Sequence, residues 1–243
     1  MGKLDGKTAV VTGASEGIGL ATAKRFAAEG ARVFIAGRRQ QELDRAVKEI
    51  GNRATGVQGD VANLADLDRL YETIQAATGR IDILVANAGI GDVGPIGAIT
   101  ESHFDRVFGV NVKGTLFTVQ KALPLLQDGG SIIMIGSIAG SKGFPGFSVY
   151  NATKAAIRSF ARTWTVDLKS RGIRVNVISP GTIDTPALEN VPKQVIDYIV
   201  SATPLGRMGH SDEVAKAAVF LAGDDSSFIT GIELFVDGGM AQV

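Results

Sequence analysis

The sequence predicts an α/β fold in which a doubly wound, seven-stranded parallel sheet is covered by helices on both faces. Short apolar runs alternate with longer amphipathic segments along all 243 residues. Several of these runs lack polar alternation, which is typical of strands buried on both faces. Strands separated by helices form parallel sheets through right-handed crossovers. No linker, repeat or low-complexity stretch divides the pattern, so we expect a single domain over residues 1–243.

The first four predicted strands are each followed by a helix. Gly30 and Gly51 come directly after the first two helices, and glycine commonly ends a helix because it adopts left-handed backbone angles. The predicted pairs of strand and helix are 8–11 with 18–29, 32–36 with 40–50, 54–59 with 64–78, and 81–86 with a long helix over about 102–126.

The second half of the chain continues this alternation with three more strands. The pattern predicts a strand at 131–135 and a helix at 150–170, then a strand at 174–178 and helical segments near 190–200 and 212–222. The apolar run at 233–236 is the last predicted strand.

The segment 182–206 is long for a connection and rich in apolar residues, and Pro186, Pro192 and Pro204 interrupt any continuous helix. The loop after a late strand of an open α/β sheet lies over the ligand crevice. We therefore predict that 182–206 covers the substrate as a lid, with Leu188 and Ile196 influencing substrate choice. A short amphipathic helix packed on the core is the alternative.

Composition excludes several classes of function. Lysine plus arginine and aspartate plus glutamate both number 25, and the pI is about 6.7, so neither nucleic acid nor an anionic membrane is an expected partner. The absence of cysteine excludes disulfides and thiolate chemistry, and with two histidines we expect no metal site. The amino terminus lacks the apolar core of a signal peptide, which predicts a soluble cytoplasmic protein that binds small molecules.

Three glycines, Gly13, Gly17 and Gly19, lie between the first predicted strand and the first helix. Glycine lets the backbone approach a ligand closely, and a helix amino terminus offers free N–H groups and a positive dipole end to a pyrophosphate. Ordinary turn glycines are the alternative. Their position at the first join of strand and helix favours a dinucleotide cofactor.

The end of the second strand indicates which cofactor is preferred. An acidic residue there would bind the ribose 2′-hydroxyl of NAD, whereas arginine would bind the 2′-phosphate of NADP. The chain has Arg38 and Arg39 and no carboxylate, which favours NADP(H) and leaves NAD(H) open. The arginines could instead cap a helix in solvent. Glu16, in the glycine loop, would repel a nearby phosphate unless it points away.

Tyr150 and Lys154 are four residues apart, so a helix would place them on one face about 6 Å apart along its axis. A cation beside a phenol favours the phenolate, which lets the phenol exchange a proton near neutral pH. The same spacing also occurs on solvated helix faces. The rest of the chain decides between these interpretations.

Ser137 precedes Tyr150 by 13 residues, and Asn87-Ala88-Gly89 ends the fourth strand. With these motifs the chain resembles the classical short-chain dehydrogenase/reductase family over nearly its whole length. Three further motifs of the family have counterparts in this chain. Asn111 corresponds to the family's mid-helix asparagine, Asp60-Val61 to the pair that contacts the adenine, and Pro180-Gly181 to the loop beside the nicotinamide. The resemblance implies a single-domain Rossmann fold. Gly136 departs from many relatives, which have a second serine there.

The resemblance implies a role for each catalytic residue. Tyr150 would give a proton to the carbonyl oxygen as hydride arrives, or remove it in the reverse direction, and Ser137 would position that oxygen. Lys154 would assist Tyr150 and bind the nicotinamide ribose, and Asn111 would hold a water that links Lys154 to solvent. The residues implied in cofactor binding are Gly13, Ser15, Gly17, Ile18, Gly19, Arg38, Arg39, Asp60, Val61, Asn87, Ala88, Gly89, Tyr150, Lys154, Pro180, Gly181, Ile183 and Thr185.

The resemblance implies an NADPH-dependent reductase of a small or medium ketone, or the reverse oxidation of a secondary alcohol. A 3-oxoacyl-thioester reductase and a nucleotide sensor without turnover are the alternatives. The segment 123–130 lacks lysine and arginine, which argues against docking of an acidic carrier protein. The long helices and the carboxy-terminal strand and tail resemble the surfaces that build a homotetramer in many members of this family.

Overall fold

The computed structural model describes residues 2–189 and 191–243. The strands along this part of the chain are β1 (Thr8–Thr12), β2 (Arg32–Gly37), β3 (Ala54–Gln58), β4 (Ile81–Ala86), β5 (Leu126–Ile135), β6 (Arg174–Pro180), β7 (Ile183–Asp184), β8 (Gly209–His210) and β9 (Glu233–Val236).

The α-helices alternate with these strands, as the sequence predicts. They are α1 (Gly17–Ala28), α2 (Gln40–Ile50), α3 (Leu64–Ala77), α4 (Glu101–Phe108), α5 (Thr115–Ala122), α6 (Ser148–Asp167), α7 (Lys193–Ala202) and α8 (Ser211–Ala222). A π-helical segment, Gly109–Gly114, joins α4 to α5, so the two form one continuous helix. None of the helices in the described residues is both long enough and apolar enough to cross a bilayer.

Seven strands form one parallel sheet in the order β3-β2-β1-β4-β5-β6-β9. The chain runs outward from β1 through β2 to β3 and then returns to β4 on the other side of β1. Ligands of open α/β sheets bind at the carboxyl ends of the strands where the order reverses in this way. The predicted doubly wound, seven-stranded Rossmann fold is confirmed, and the reversal places the crevice over β1 and β4.

Helices cover the sheet on both faces and form two apolar cores. Successive side chains of β1 enter different cores, because side chains alternate across a strand: Val10 packs on one face and Val11 on the other. Buried residues of α1, α2 and α8 complete one core, and those of α3, α5 and α6 complete the other. These two layers fix the strand ends from which the functional loops leave.

Several predicted boundaries around β5 and α6 were wrong. The helix predicted over 102–126 begins at Glu101 and ends at Ala122, and β5 begins at Leu126 and not at 131. Ile81 pairs with Leu126, and the register shifts before Ile83, so the irregular first half of β5, which contains two glycines, was not predicted as a strand. The helix predicted over 150–170 starts earlier, at Ser148, and its last turn is a separate 3₁₀ segment.

The segment 182–206 contains structure that the sequence did not predict. Its β7 pairs with β8 in a second, two-stranded parallel sheet. Pro186 begins a 3₁₀ turn, and Pro192 precedes α7, so the prolines mark the boundaries of short elements. No side chain of α7 is buried. This exposure disfavours the alternative that the segment is a helix packed into the core.

Candidate active site

The glycine loop lies directly against the end of β4. Gly13 has a φ of 63°, and a Cβ on it would lie 2.7 Å from Cα of Ala88. A Cβ on Gly19 would lie 2.3 Å from the carbonyl oxygen of Gly13. Both distances are too short for any side chain, so glycine is required at these positions for the loop to fold against β4.

Asn87 fastens the glycine loop in this position. Its side-chain amide donates hydrogen bonds of 2.9 Å to the carbonyl oxygens of Thr12 and Gly13. The hydroxyl oxygen of Thr12 accepts bonds of 3.2 Å from the backbone N–H groups of Asn87 and Ala88. Both amide hydrogens of Asn87 are therefore used within the protein, so its donors position the loop and are not free for a cofactor.

A cavity of about 420 Å³ lies over the glycine loop and the ends of β1 and β2. The first turn of α1 lines it. Thirteen of the residues predicted to bind the cofactor line this cavity, namely Gly13, Ser15, Gly17, Ile18, Gly19, Arg38, Arg39, Asp60, Val61, Asn87, Ala88, Gly89 and Thr185. The shape and position of the cavity suit the adenosine and pyrophosphate portions of a dinucleotide.

Glu16 forms an ion pair with Arg39 at the rim of this cavity, with 2.7 Å between Oε2 and Nη2. The hydrogen bond to Glu16 raises the pKa of the Arg39 guanidinium. The prediction that Glu16 must either repel a phosphate or point away was therefore incomplete, because its carboxylate is bound to one of the two arginines. Arg38 is exposed beside it and lines the same cavity.

Lys154 and Tyr150 lie on α6, where the sequence predicts a shared face. Lys154 is buried, and its Nζ donates a 2.9 Å hydrogen bond to the carbonyl oxygen of Ile135, at the end of β5. The same Nζ lies 5.6 Å from the centre of the Tyr150 ring. Phe147 packs against this ring in a T-shaped arrangement, with 5.9 Å between the ring centroids. The phenol is thus placed between a cation and an aromatic side chain.

Ser137 follows β5 and faces the same cavity as Tyr150. Its hydroxyl oxygen accepts a 3.2 Å hydrogen bond from the backbone N–H of Ala139, which leaves the hydroxyl hydrogen available to a ligand. A Cβ on the preceding residue, Gly136, would lie 2.5 Å from the hydroxyl oxygen of Ser179. A second serine at position 136 would therefore require the side chains of Ser179 and Val177 to shift.

Asn111 lies in the π-helical segment and is buried. Its amide nitrogen donates hydrogen bonds of 2.9 Å to the carbonyl oxygen of Ile90 and 3.0 Å to Oγ1 of Thr153, and its oxygen accepts a 2.8 Å bond from the N–H of Ile90. The Thr153 hydroxyl in turn donates to the carbonyl oxygen of Tyr150. The side chain of Asn111 therefore joins the loop after β4 to α6. Both of its amide hydrogens are used within the protein, so a water linking Lys154 to solvent, as the sequence predicts, would have to be held by an oxygen atom of Asn111.

A second cavity, of about 560 Å³, adjoins the first and shares Ile18, Asn87, Gly89 and Thr185 with it. The predicted residues Ser137, Tyr150, Lys154, Pro180, Gly181 and Ile183 line it as well. We call this cavity the substrate cleft.

Part of the lining of the substrate cleft was missed in the sequence. The missed residues include Phe144, Phe147, Tyr198 and Met240. The two phenylalanines could have been inferred because they directly precede Tyr150, whereas no local signal pointed to Met240. Leu188 lines the cleft as expected, but Ile196 does not.

Comparison with known proteins gives the family. The sequence pattern of the family described as "Enoyl-(Acyl carrier protein) reductase" matches residues 13–241. The oxidoreductase asL5 of Sarocladium schorii is 53% identical over 244 residues, which cover 99% of this chain and 98% of that protein. The chain belongs to the short-chain dehydrogenase/reductase family. It is therefore an oxidoreductase of a family that transfers hydride with a nicotinamide coenzyme.

Other short-chain dehydrogenases/reductases match the chain along its whole length. The 3-oxoacyl-[acyl-carrier-protein] reductase FabG of Thermotoga maritima is 39% identical over 243 residues, with 98% of this chain and 99% of that protein covered. The crystal structure of 3-ketoacyl-(acyl-carrier-protein) reductase from Brucella melitensis complexed with NADH has a TM-score of 0.92 and 36% sequence identity, and the match covers 98% of this chain and 99% of that one.

Proposed function

We propose that the protein is an NADPH-dependent reductase of a ketone, or in reverse an NADP⁺-dependent dehydrogenase of the matching secondary alcohol, with Tyr150 as acid and base. One observation carries the proposal: Ser137, Tyr150 and Lys154 line a single cleft that continues into the cavity over the glycine loop. A coenzyme bound along both cavities would bring its nicotinamide beside the phenol. Such a coenzyme supplies the hydride for the carbonyl carbon.

The proton and the position of the carbonyl group come from the protein. The phenol of Tyr150 donates its proton to the carbonyl oxygen as negative charge develops there. The hydroxyl of Ser137 donates a second hydrogen bond to the same oxygen, since its own oxygen already accepts from Ala139. Two donors fixed at this oxygen stabilise the transition state more than the neutral ketone.

The ammonium of Lys154, which lies near the Tyr150 ring, assists this proton transfer. One of its three hydrogens is donated to Ile135, and two remain for the ribose hydroxyls and the phenolic oxygen. When Tyr150 releases its proton, the buried cation stabilises the phenolate that remains. Asn111 contributes as a positioning residue, because it holds Thr153 and through it the backbone of Tyr150.

The coenzyme is proposed to be NADPH in preference to NADH. β2 ends without a carboxylate of its own where the ribose 2′-position would lie; Arg38 is exposed there, and the nearby carboxylate of Glu16 is paired with Arg39. A 2′-phosphate could also displace Glu16 from Arg39, since the guanidinium binds phosphate with two parallel hydrogen bonds.

A 3-oxoacyl-thioester reductase is the second candidate, and the names of the relatives from Thermotoga and Brucella favour it. The surface near β5 gives it less support. Lys121 is paired with Asp68, and Arg171 with Asp128, so these cations already have carboxylate partners. A sensor without turnover is disfavoured because cofactor binding alone does not require a serine hydroxyl and a phenol facing the cleft.

A homotetramer is the proposed assembly. Phe104 stacks on Phe108, with 4.3 Å between the ring centroids, and remains 44% exposed on α4. At the edge of the sheet, Phe228 and Ile232 are exposed beside β9. Exposed apolar surfaces on the long helix and at the last strand suit two different two-fold interfaces. Light scattering at micromolar concentration tests this, and a mass near that of one 25.3 kDa chain would contradict it.

The test of the proposed function follows NADPH absorbance in the presence of ketones, sugars and a 3-oxoacyl thioester. We expect turnover of ketones and a higher kcat/KM with NADPH than with NADH. A 3-oxoacyl thioester as the best substrate would support the second candidate. Tight NADPH binding without oxidation by any member of the panel would contradict the proposal and favour a sensor.

A further inference from the structure

We infer that the substrate is an uncharged ketone that carries an aromatic or fused-ring group beside its carbonyl. This inference rests on the proposed function and narrows it to a substrate class. It depends on three features of the substrate cleft: the charges of its lining, the paired cations at its rim, and the aromatic side chains around Tyr150.

The lining of the cleft offers no free charge to a substrate. Among the described residues that line it, Lys154 is the only charged one, and its ammonium is buried and bonded to the carbonyl oxygen of Ile135. A carboxylate or phosphate on the substrate would lose its water without gaining a partner beyond the catalytic centre. Such a burial of unpaired charge is strongly unfavourable.

Three cations on segments next to the cleft already have partners within the protein. Lys142 donates a 2.8 Å hydrogen bond to the carbonyl oxygen of Met240. Lys193 pairs with Asp197 and Arg207 pairs with Glu213. An acidic carrier protein or the phosphates of a coenzyme A thioester would have to break these two ion pairs to use Lys193 or Arg207. The rim therefore favours a substrate without an anionic handle.

Aromatic side chains surround the reacting position. Phe147 packs edge-on against the Tyr150 ring, with an angle of 68° between the two planes, and Phe144 and Tyr198 also line the cleft. Pairs of aromatic rings favour such edge-on or offset arrangements. These contacts stabilise the pair beyond the contribution of the apolar area that is buried. A ring attached to the substrate carbonyl would therefore lie among these side chains when the carbonyl oxygen reaches Tyr150.

The outer wall of the cleft is apolar but exposed. Tyr198 and Val195, both on α7, are 71% and 45% exposed, although both line the cleft. A ring system would cover them, whereas a small aliphatic ketone would reach Tyr150 and leave them in water. The cleft volume of about 560 Å³ lies within the range typical of small-molecule sites.

The carboxy-terminal turn forms another part of the wall. The carboxylate of Asp237 accepts hydrogen bonds of 2.9 Å and 2.7 Å from the N–H groups of Gly239 and Ala241, and Met240 is only 6% exposed. A thioether packs favourably against aromatic rings. Tyr198 and Met240 are therefore assigned as residues that determine specificity.

The test compares ketones that differ in one property at a time. We expect 2-acetylnaphthalene to have a kcat/KM at least about tenfold above those of 6-acetyl-2-naphthoate, which adds a carboxylate, and of 2-butanone, which lacks the rings. Acetoacetyl-coenzyme A should be the poorest substrate. Tyr198→Ala and Met240→Ala should lower kcat/KM for 2-acetylnaphthalene about tenfold and that for 2-butanone by less than about threefold.

Ile196→Ala provides the matched control, since Ile196 lies on α7 two residues from Tyr198 and does not line the cleft. It should leave the ranking of the ketones unchanged. Equal kcat/KM for the naphthyl ketone and its carboxylate, or acetoacetyl-coenzyme A as the best substrate, would overturn the inference while the proposed function stands.

Absence of turnover with every ketone would instead contradict the proposed function. Calorimetric titration of the protein and NADP⁺ with 2-acetylnaphthalene and with 6-acetyl-2-naphthoate then tests the cleft separately. Binding of the neutral ketone at least about tenfold tighter than the anion supports the inferred ligand class. Equal binding, or binding of neither, overturns it.

Discussion

The ammonium nitrogen of Lys154 lies 2.9 Å from the carbonyl oxygen of Ile135. Ile135 is the last residue of β5, which lies next to the central strand β4, whereas Lys154 belongs to α6, which covers one face of the sheet. The charge is therefore fixed by two elements from different layers of the fold. This geometry keeps the cation beside Tyr150 whether the phenol holds its proton or has released it.

Removal of this charge should impair both chemistry and coenzyme binding. We expect Lys154→Met to lower kcat/KM by about 100-fold or more, because assisted proton transfer contributes about that much to catalysis. Steady-state kinetics and an NADPH titration measure the two effects. Lys48→Met, a change at an exposed lysine of α2, is the control. Activity of Lys154→Met within about threefold of the parent would show that the ammonium is not needed.

The ion pair of Glu16 and Arg39 should weaken the preference for NADPH. Glu16→Gln frees the guanidinium and removes a negative charge, so we expect the ratio of kcat/KM for NADPH to that for NADH to rise by a few fold, up to about tenfold. Glu49→Gln is the matched control, because Glu49 pairs with Lys24 and does not line the cavity.

Replacement of the two arginines at the end of β2 should lower the preference for NADPH. Arg38→Asp combined with Arg39→Leu should lower the ratio of kcat/KM for NADPH to that for NADH, or bring it below one. The reason is that a partner of the 2′-phosphate is replaced by a carboxylate that suits the 2′-hydroxyl. A parent enzyme that already prefers NADH would contradict this interpretation of the cavity.

Asn111 should matter for stability as well as for activity. Asn111→Leu leaves the N–H and carbonyl groups of Ile90 and the hydroxyl of Thr153 without their partner. Each buried polar group left unpaired costs about 1–3 kcal/mol, so we expect the free energy of unfolding to fall by at least about 2 kcal/mol. Urea denaturation measures this, with exposed Asn52→Leu as the control. Equal stability of the two variants would exclude the bridging role.

Much of the fold could be predicted because the deciding signals are local. The bounds of α2 and β4 were predicted to the residue, since Gly51 ends the helix and an uninterrupted apolar run forms the strand. The glycine loop and the spacing of Tyr150 and Lys154 are local patterns too. Each needs only one short segment of chain to be recognised.

Features that depend on distant segments could not be predicted. Met240 reaches the substrate cleft only because the carboxy-terminal turn folds back toward Lys142, 98 residues earlier in the chain. The pairing of β7 with β8 joins segments of two residues each, too short to produce a periodic pattern. The ion pair of Glu16 and Arg39 likewise follows from two loops that meet only in the folded sheet.

The ion pair of Arg207 and Glu213 should make a pH-dependent contribution to stability. The side-chain hydrogen bond from Arg207 and the backbone hydrogen bond from His210 lower the pKa of Glu213 to about 2, from an ordinary value of 4.5. Because the pKa of Glu213 is lower in the folded state than in the unfolded chain, the ionised carboxylate stabilises the fold at pH values above 4.5. This stabilisation is lost as the pH falls from 4.5 toward 2. Glu213→Gln should therefore lower Tm at pH 6, and its difference from the parent should shrink at pH 3. A difference that does not change with pH would contradict this prediction.

The role of Tyr150 can be tested by removal of a single oxygen atom. Tyr150→Phe keeps the ring that packs against Phe147 and removes the proton donor. Tyr71→Phe is the matched control, because its hydroxyl bonds to the carbonyl oxygen of Thr118 in the core, away from the cleft. It should lower stability and leave turnover nearly unchanged.

The most direct measurement is the rate of NADPH oxidation by Tyr150→Phe with a ketone that the parent reduces, together with its affinity for NADPH. We expect kcat to fall at least about 100-fold, while the dissociation constant for NADPH stays within about threefold of the parent. A kcat within a few fold of the parent would show that another group donates the proton.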